Sequence, residues 1–449
     1  MMGAAISRST MSYFAAALAF LIAAEGLMVA GYGFPAAPVE APETLVLVHM
    51  VTIGWLSLLI CGALFQFVPV LVARPLSSPA LVLPAFMLLL TGVGCLLGGF
   101  LRLAGALDVD IPLLACAGIL LPAGFALVIR VMAGTLWAGR PLTLPARFVA
   151  VGLASLVVVA LLGASLAFIL SGLMPLDPMV ELKARILPIH AVAGFGGWLG
   201  FTAIGVSYRL LPMFMLSPES ERATGYCVWW SGSAALLLII LFLPISLFSP
   251  DGADLVIVPA CLLAYLTLGL YAADLVFFYR HRKRRKMELN SKAALGAFGM
   301  LYLAALMAAV LVLNGMLEEH AGALIYLIVF GWLTGLGLSQ LYKIVPFLTW
   351  LECYGPVMGR QPTPRVQDMV VEKRDMPWFA VYFLGVLACT TALLANQPAL
   401  FRVLALMPLM ATIAIVVELI GVRRLSNIAA DRRLPAGAIR PRLFMPRVL

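Results

Sequence analysis

The sequence predicts an all-α integral membrane protein of twelve transmembrane helices, arranged as three parallel four-helix pseudo-repeats. Three observations predict it. Of the 449 residues, 63% are hydrophobic and 11% charged, and the mean hydropathy is +1.05. That balance belongs to polytopic membrane proteins rather than soluble folds. Twelve apolar stretches are each long enough to cross roughly 30 Å of hydrocarbon. One pattern then recurs three times with fixed internal spacing, and a repeat fixes architecture ahead of any local signal.

The stretches run over about 12–32, 44–70, 79–101, 110–132, 147–171, 188–214, 227–248, 254–279, 292–314, 321–349, 376–396 and 400–421. Residues 12–32 are too long and too apolar for a cleavable signal peptide, and another span follows at once. Lys and Arg fall unevenly between the connections. One set carries Arg74, Arg130, Arg140, Arg147, Arg222, the run Arg280 to Lys286, Arg360, Arg365, Lys373 and Arg374; the other carries Arg102, Lys183, Arg185 and Arg402. The positive-inside asymmetry puts both termini, His281 and Arg433 in the cytoplasm and the 172–187 loop outside. Residues 1–449 read as one membrane domain with repeat units of about 12–132, 147–279 and 292–421, followed by a basic cytoplasmic tail over 422–449. The formal net charge of +9 sits in short loops and this tail, where topology and anionic lipid explain it and nucleic acid is not required.

The recurring pattern begins at Gly54-Trp55, Gly197-Trp198 and Gly331-Trp332. Seven residues after the Trp come Gly62, Gly205 and Ser339; ten after, Phe65, Tyr208 and Tyr342; eleven after, Gln66, Arg209 and Lys343; fourteen after, Pro69, Pro212 and Pro346. Its plain physical meaning is packing: small residues permit close helix approach in lipid, the Trp anchors, and the Pro ends the helix. The marked helices are the second, sixth and tenth, which run the same way; inverted repeats of the transporter kind would alternate.

Four histidines occur, and three precede the pattern: His49, His190 and His320. Imidazole suits haem iron, copper or zinc. At about 100° per residue from the Trp, His190 and His320 point alike and His49 is turned away. With its helix drawn from 321, His320 falls at or beyond the membrane interface; His281 sits in a basic surface cluster. Glu25 lies well inside the first span, where an ionisable group is either a neutral helix glue or a proton or cation relay. Arg209 and Lys343, near helix ends, either snorkel to the headgroups or meet a buried anion such as a propionate. The seven cysteines form no CxxC or CxxCH, so neither a thiol metal knuckle nor a c-type haem attachment is expected.

Twelve helices in three parallel repeats, with His49 ahead of Gly54-Trp55 and Gly62-Ala63-Leu64-Phe65, resemble subunit I of the haem-copper oxidase superfamily. The resemblance implies that His49 ligates a low-spin b-type haem (heme b), that His190 is nearest to a copper ligand, and that His320 is the candidate second axial ligand. Arg209 and Lys343 become candidates for the propionates. Two family signatures are absent: the seventh helix has no histidine pair, and 321–349 has no H-x-H. The binuclear centre is therefore not expected, nor is oxygen or nitric oxide reduction. The implied protein lies in a bacterial inner membrane, binding haem or a metal near its outer face for electron transfer, gas sensing or respiratory-complex assembly. Membrane lipids, respiratory-chain subunits or a second copy would be its partners. Two alternatives stand beside it: a cofactor-free accessory scaffold, and a copper or haem transporter using Met213 and Met215. A haem would need a cleft, which Gly62, Gly205 and Ser339 are expected to line.

Overall fold

A computed structural model describes residues 2–172, 176–218, 221–248 and 254–441. Residues 442–449, with Arg442 and Arg447 of the tail, and 173–175 of the 172–187 segment lie outside the described residues. The described chain is helical without strands. Twelve helices are long and apolar enough to cross a membrane: α1 Arg8–Ala30, α2 Pro42–Val72, α3 Pro79–Leu103, α4 Leu113–Ala138, α5 Leu144–Leu170, α6 Leu182–Met215, α7 Ala223–Phe242, α8 Leu255–Arg280, α9 Leu289–Leu313, α10 Leu317–Val357, α11 Glu372–Leu394 and α12 Pro398–Arg423. The protein is thus an all-α, multi-pass membrane protein, and large side chains such as Leu161, Leu255 and Leu313 stay exposed on the helices, as lipid contact requires.

Three boundaries differ from the sequence reading. The 172–187 segment is not a loop: helix begins at Leu176 and runs through Pro188. Pro188 lies inside this helix, as membrane helices allow. The tenth helix starts at Leu317 rather than 321 and extends over 41 residues, about 60 Å at 1.5 Å per residue. Nor do the repeated prolines end their helices. Pro69, Pro212 and Pro346 lie inside them, and in the first two the chain continues one turn to a left-handed residue, Ala73 or Leu216. The amide of Arg74 then bonds the Pro69 carbonyl at 3.1 Å, and that of Ser217 bonds the Pro212 carbonyl at 3.0 Å. The proline carbonyl, not the ring, receives the helix stop, as in a Schellman cap.

The chain divides into two compact units, 1–66 with 287–449 and 67–286, the first break falling inside α2. In the first unit, α1 packs on α2 where Gly54 admits the Phe20 ring and Gly62 admits Tyr13 and Phe14. Trp55, fully buried, donates its indole N–H to Thr334 Oγ1 at 3.0 Å and so ties α2 to α10. Gly385 lets α11 close on Met407 and Pro408 of α12. The tail begins by folding back: Tyr354 Oη donates to the Arg433 carbonyl at 2.8 Å, and the Ile439 amide donates to the Cys353 carbonyl at 3.1 Å.

In the second unit, Gly92 and Gly99 of α3 receive Leu121 and Leu114 of α4, and Gly124 returns the contact to Leu89. Gly205 of α6 sits against Phe148 of α5, and Gly232 of α7 against Phe201. Ser231 and Thr267 share a hydrogen bond of 2.8 Å between α7 and α8.

Candidate functional site

The three Gly-Trp pairs share a local geometry that ordinary helix periodicity does not contain. Each lies in a π-helical segment: Met50–Ser57, Ala193–Phe201 and Leu327–Thr334. A π turn widens the helix to i→i+5 bonding, is rare, and is frequent at functional sites. It also leaves carbonyls for side chains. Ser57 Oγ donates to the Thr52 carbonyl at 2.8 Å, and Tyr382 Oη donates to the Phe330 carbonyl at 2.8 Å. The first glycine of each pattern faces the helix before it: Gly54 meets Phe20, Gly197 meets Ser155 and Gly331 meets Met300.

The histidines precede these segments at different distances. His49 abuts the first. Its Nδ1 is 2.8 Å from the Leu45 carbonyl; since a carbonyl only accepts, Nδ1 carries the proton and Nε2 is the lone-pair nitrogen. His190, three residues before the second segment, lies over Gly163, where an added Cβ would come within 3.0 Å of Cε1. His320 belongs to the first turn of α10 and is buried within the protein, so its helix begins before it rather than at 321. Its Nε2 is 3.9 Å from Glu319 Oε1, and its Nδ1 has no hydrogen-bond partner among the described residues. His49 and His320 belong to the first unit and His190 to the second. Among the described residues no three His, Cys, Asp or Glu side chains gather as a metal site. His281 is exposed, its ring tilted on Phe277 at 4.2 Å.

The expected glycine-lined cleft is corrected. A Cβ at Gly62 would lie 2.8 Å from Tyr13 Cβ, and one at Gly205 would collide with Phe148. Ser339 is fully buried and bonds its own helix at Leu336. These positions bring helices together instead of opening a slot. Of the two cations at the eleventh position, Lys343 pairs with Glu288 at 2.6 Å, and Glu288 also accepts from Gln367 at 2.7 Å. Arg209 is half-buried on α6.

The tenth position of the pattern does more than the sequence reading assigned to it. Tyr208 donates to Asp274 Oδ2 at 2.8 Å, and Tyr342 donates to Asp375 Oδ2 at 2.6 Å. In the first copy Phe65 stands there and packs edge-on against Tyr13, centroids 5.5 Å apart. Asp274 also takes Thr224 at 2.5 Å and Arg222 at 3.1 Å. In the first unit, Glu352 is held by Arg8 at 3.1 Å and Arg423 at 2.9 Å, while Arg374 bonds both Asp375 and Glu418. The signal available in sequence was the hydroxyl: a tyrosine at the same register in two copies needs an acceptor when buried.

Glu25 is buried in α1, where Thr412 Oγ1 of α12 donates to its Oε1 at 3.1 Å. Outside the spans, the Glu221 carboxyl is lowered, first by the Tyr226 hydroxyl and then by the Leu144 amide, against a smaller penalty from burial. Asp368 is lowered by the Arg365 side chain and amide.

No protein-family model matches this sequence, and no curated protein matches it significantly.

Proposed function

We propose that this is a haem-copper-oxidase-like membrane protein without the binuclear centre, which holds one b-type haem through His49 and carries electrons or senses a small gas. The observation that supports it most is the fixed tautomer of His49. The Leu45 carbonyl orients the ring and holds the proton on Nδ1, the outer-shell arrangement typical of ligating histidines. The abutting π-helical segment adds a local distortion of the kind found at functional sites. His320 is the candidate second nitrogen: it is buried in the same unit, and its Nδ1 bonds no other side chain among the described residues. A bound haem would supply reversible one-electron chemistry or an open iron position. The chain would supply the axial nitrogen and exclude water. Lys343, in the same unit and paired with Glu288, is the candidate for a propionate.

The three-repeat arrangement, the cytoplasmic placement of both termini and a respiratory-chain or self-associated setting belong to the same proposal. A cofactor-free scaffold is the second reading. Packing of Gly62 against Tyr13 and Gly205 against Phe148 favours it.

The optical spectrum of protein purified from haem-replete cells separates the two. A Soret band is expected in the wild type and a severalfold loss in His49→Ala. His320→Ala should convert a six-coordinate spectrum to a five-coordinate one while retaining haem. A wild-type chain without a Soret band would overturn the haem reading and leave the scaffold.

A further inference from the structure

We propose that Glu25 is a proton-exchange site, at which a buried carboxyl on α1 and the hydroxyl of Tyr326 on α10 hold water between them. The side chain of Glu25 is 1% exposed. Its Oε1 accepts the Thr412 hydroxyl, and its Oε2 has no hydrogen-bond partner among the described residues. The hydroxyl of Tyr326, a residue 6% exposed, has no oxygen or nitrogen partner among the described residues and meets only the weakly bonding Cys389 thiol. The two groups lie within electrostatic reach of one another. Interiors rarely leave polar atoms unmade, and where they do a water commonly completes them.

The bonding pattern separates a relay from a glue. A neutral acid serving as glue donates its one O–H to a protein acceptor. Here Oε1 and the Thr412 hydroxyl share one bond, whichever of them supplies its hydrogen, and Oε2 meets no protein partner among the described residues, so half of the carboxyl is left for water. An ionised Glu25 would want a cation, and it forms no ion pair among the described residues; Arg402, the base at that end of α1, is spent on the Val29 and Ala30 carbonyls. The titratable groups facing Glu25 are Tyr326 of α10 with Tyr382 and Cys389 of α11. Tyr382 spends its hydrogen on the Phe330 carbonyl, inside the π-helical segment of α10, so a charge change at Glu25 is felt next to that segment.

In the exchange step the O–H bond on Glu25 Oε2 breaks and the proton passes to water. The electron pair stays on the carboxylate, which keeps the Thr412 bond and gains the Tyr326 hydroxyl. Ionisable groups within spans face such cavities far more often than lipid.

A hydrophobic carbodiimide adds only to a protonated carboxyl, and peptide mass spectrometry locates the adduct. With the full chain in lipid nanodiscs, label on Glu25 should fall severalfold as pH rises from mildly acidic to alkaline. The infrared carbonyl band of the buried acid should shift in D2O and be missing in Glu25→Gln. Tyr326→Phe removes a donor to the charged form, so the labelling midpoint should move to higher pH, by about tenfold in proton affinity. Label that ignores pH with a band insensitive to D2O would mean a sealed structural acid and overturn the proposal. Absence of both label and band would mean a permanently ionised group and overturn it equally. If Glu25→Gln does not fold, the wild-type label and D2O shift still decide.

Discussion

Two buried carboxylates, Asp274 of the second compact unit and Glu25 of the first, are treated in opposite ways. In the second, Asp274 is fully buried yet receives Tyr208, Thr224 and Arg222. In the first, Glu25 is as deeply buried and, among the described residues, receives Thr412 alone. Asp274 sits six residues before the end of α8, where arginines from a connecting segment can reach; Glu25 sits inside α1, where none does. A neutralised carboxylate fastens helices together. A solitary one leaves its proton to be exchanged. The first unit contains both kinds, because Glu352 is clamped between Arg8 and Arg423.

The largest expected effect breaks that clamp. Glu352→Ala removes the carboxylate that faces Arg423, whose side chain is 6% exposed, and breaking a buried ion pair from one side costs roughly 3–5 kcal/mol. Glu25→Gln keeps the Thr412 bond and strands no charge, so its cost should stay under about 1 kcal/mol. Thermal unfolding of both variants in one detergent checks the ranking. Equal losses would show that the two carboxylates do the same work, and the contrast between them would fail.

A smaller effect tests packing against propensity within the second unit. An added Cβ at Gly205 collides with Phe148, whereas one at Gly269 meets nothing within 4 Å. Gly205→Ala should therefore destabilise by about 1–3 kcal/mol through overpacking. Gly269→Ala should be neutral or stabilise by up to about 1 kcal/mol, the helix preference of Ala over Gly. The difference in unfolding midpoint measures it, and a neutral Gly205→Ala would show that the α5–α6 contact is looser than drawn.

Much of this frame was legible in the sequence because lipid leaves the backbone few options. The twelve spans stand near their expected places, the wider departures including the end of α4 at Ala138 rather than 132, the start of α6 at Leu182 rather than 188 and the end of α10 at Val357 rather than 349. The repeat pattern also picked the helices that carry the π segments. The segments themselves were not legible, since the residues of Met50–Ser57 are ordinary for an α-helix and only the register of their hydrogen bonds differs. That register undoes the phase argument for the histidines, which assumed about 100° per residue across the widened turn. Glu25 was legible as an anomaly, because charge at that depth is rare. The clamps on Asp274 and Glu352 were not, because Arg222 and Arg423 reach them from 52 and 71 residues away. Sequence reading from the eleventh column chose Arg209 and Lys343, while the tenth column held the tyrosines that reach carboxylates.

The smallest effect concerns a carboxylate that is paired like Asp274 but solvated. Glu221 lies outside the spans and accepts the Leu144 amide at 3.0 Å together with the Tyr226 hydroxyl. Leu144 is the first residue of α5, and Thr143 makes no side-chain cap there, so Glu221 supplies the cap from a distant segment and its charge favours the helix N-terminus. These contacts lower its carboxyl below the ordinary value, led by the Tyr226 hydroxyl. A carboxyl lowered on folding contributes stability that is complete above its unfolded value and is lost as pH falls through the folded one. Because the group is exposed, solvent screening holds the contribution to about 1 kcal/mol or less. Glu221→Gln should accordingly lower the unfolding midpoint slightly at neutral pH. The gap from wild type should close as pH falls through the lowered folded value, where the wild-type carboxyl protonates as well. A gap that persists unchanged into acid would mean that Glu221 acts through shape alone, and that pairing without burial contributes nothing electrostatic at the end of α5.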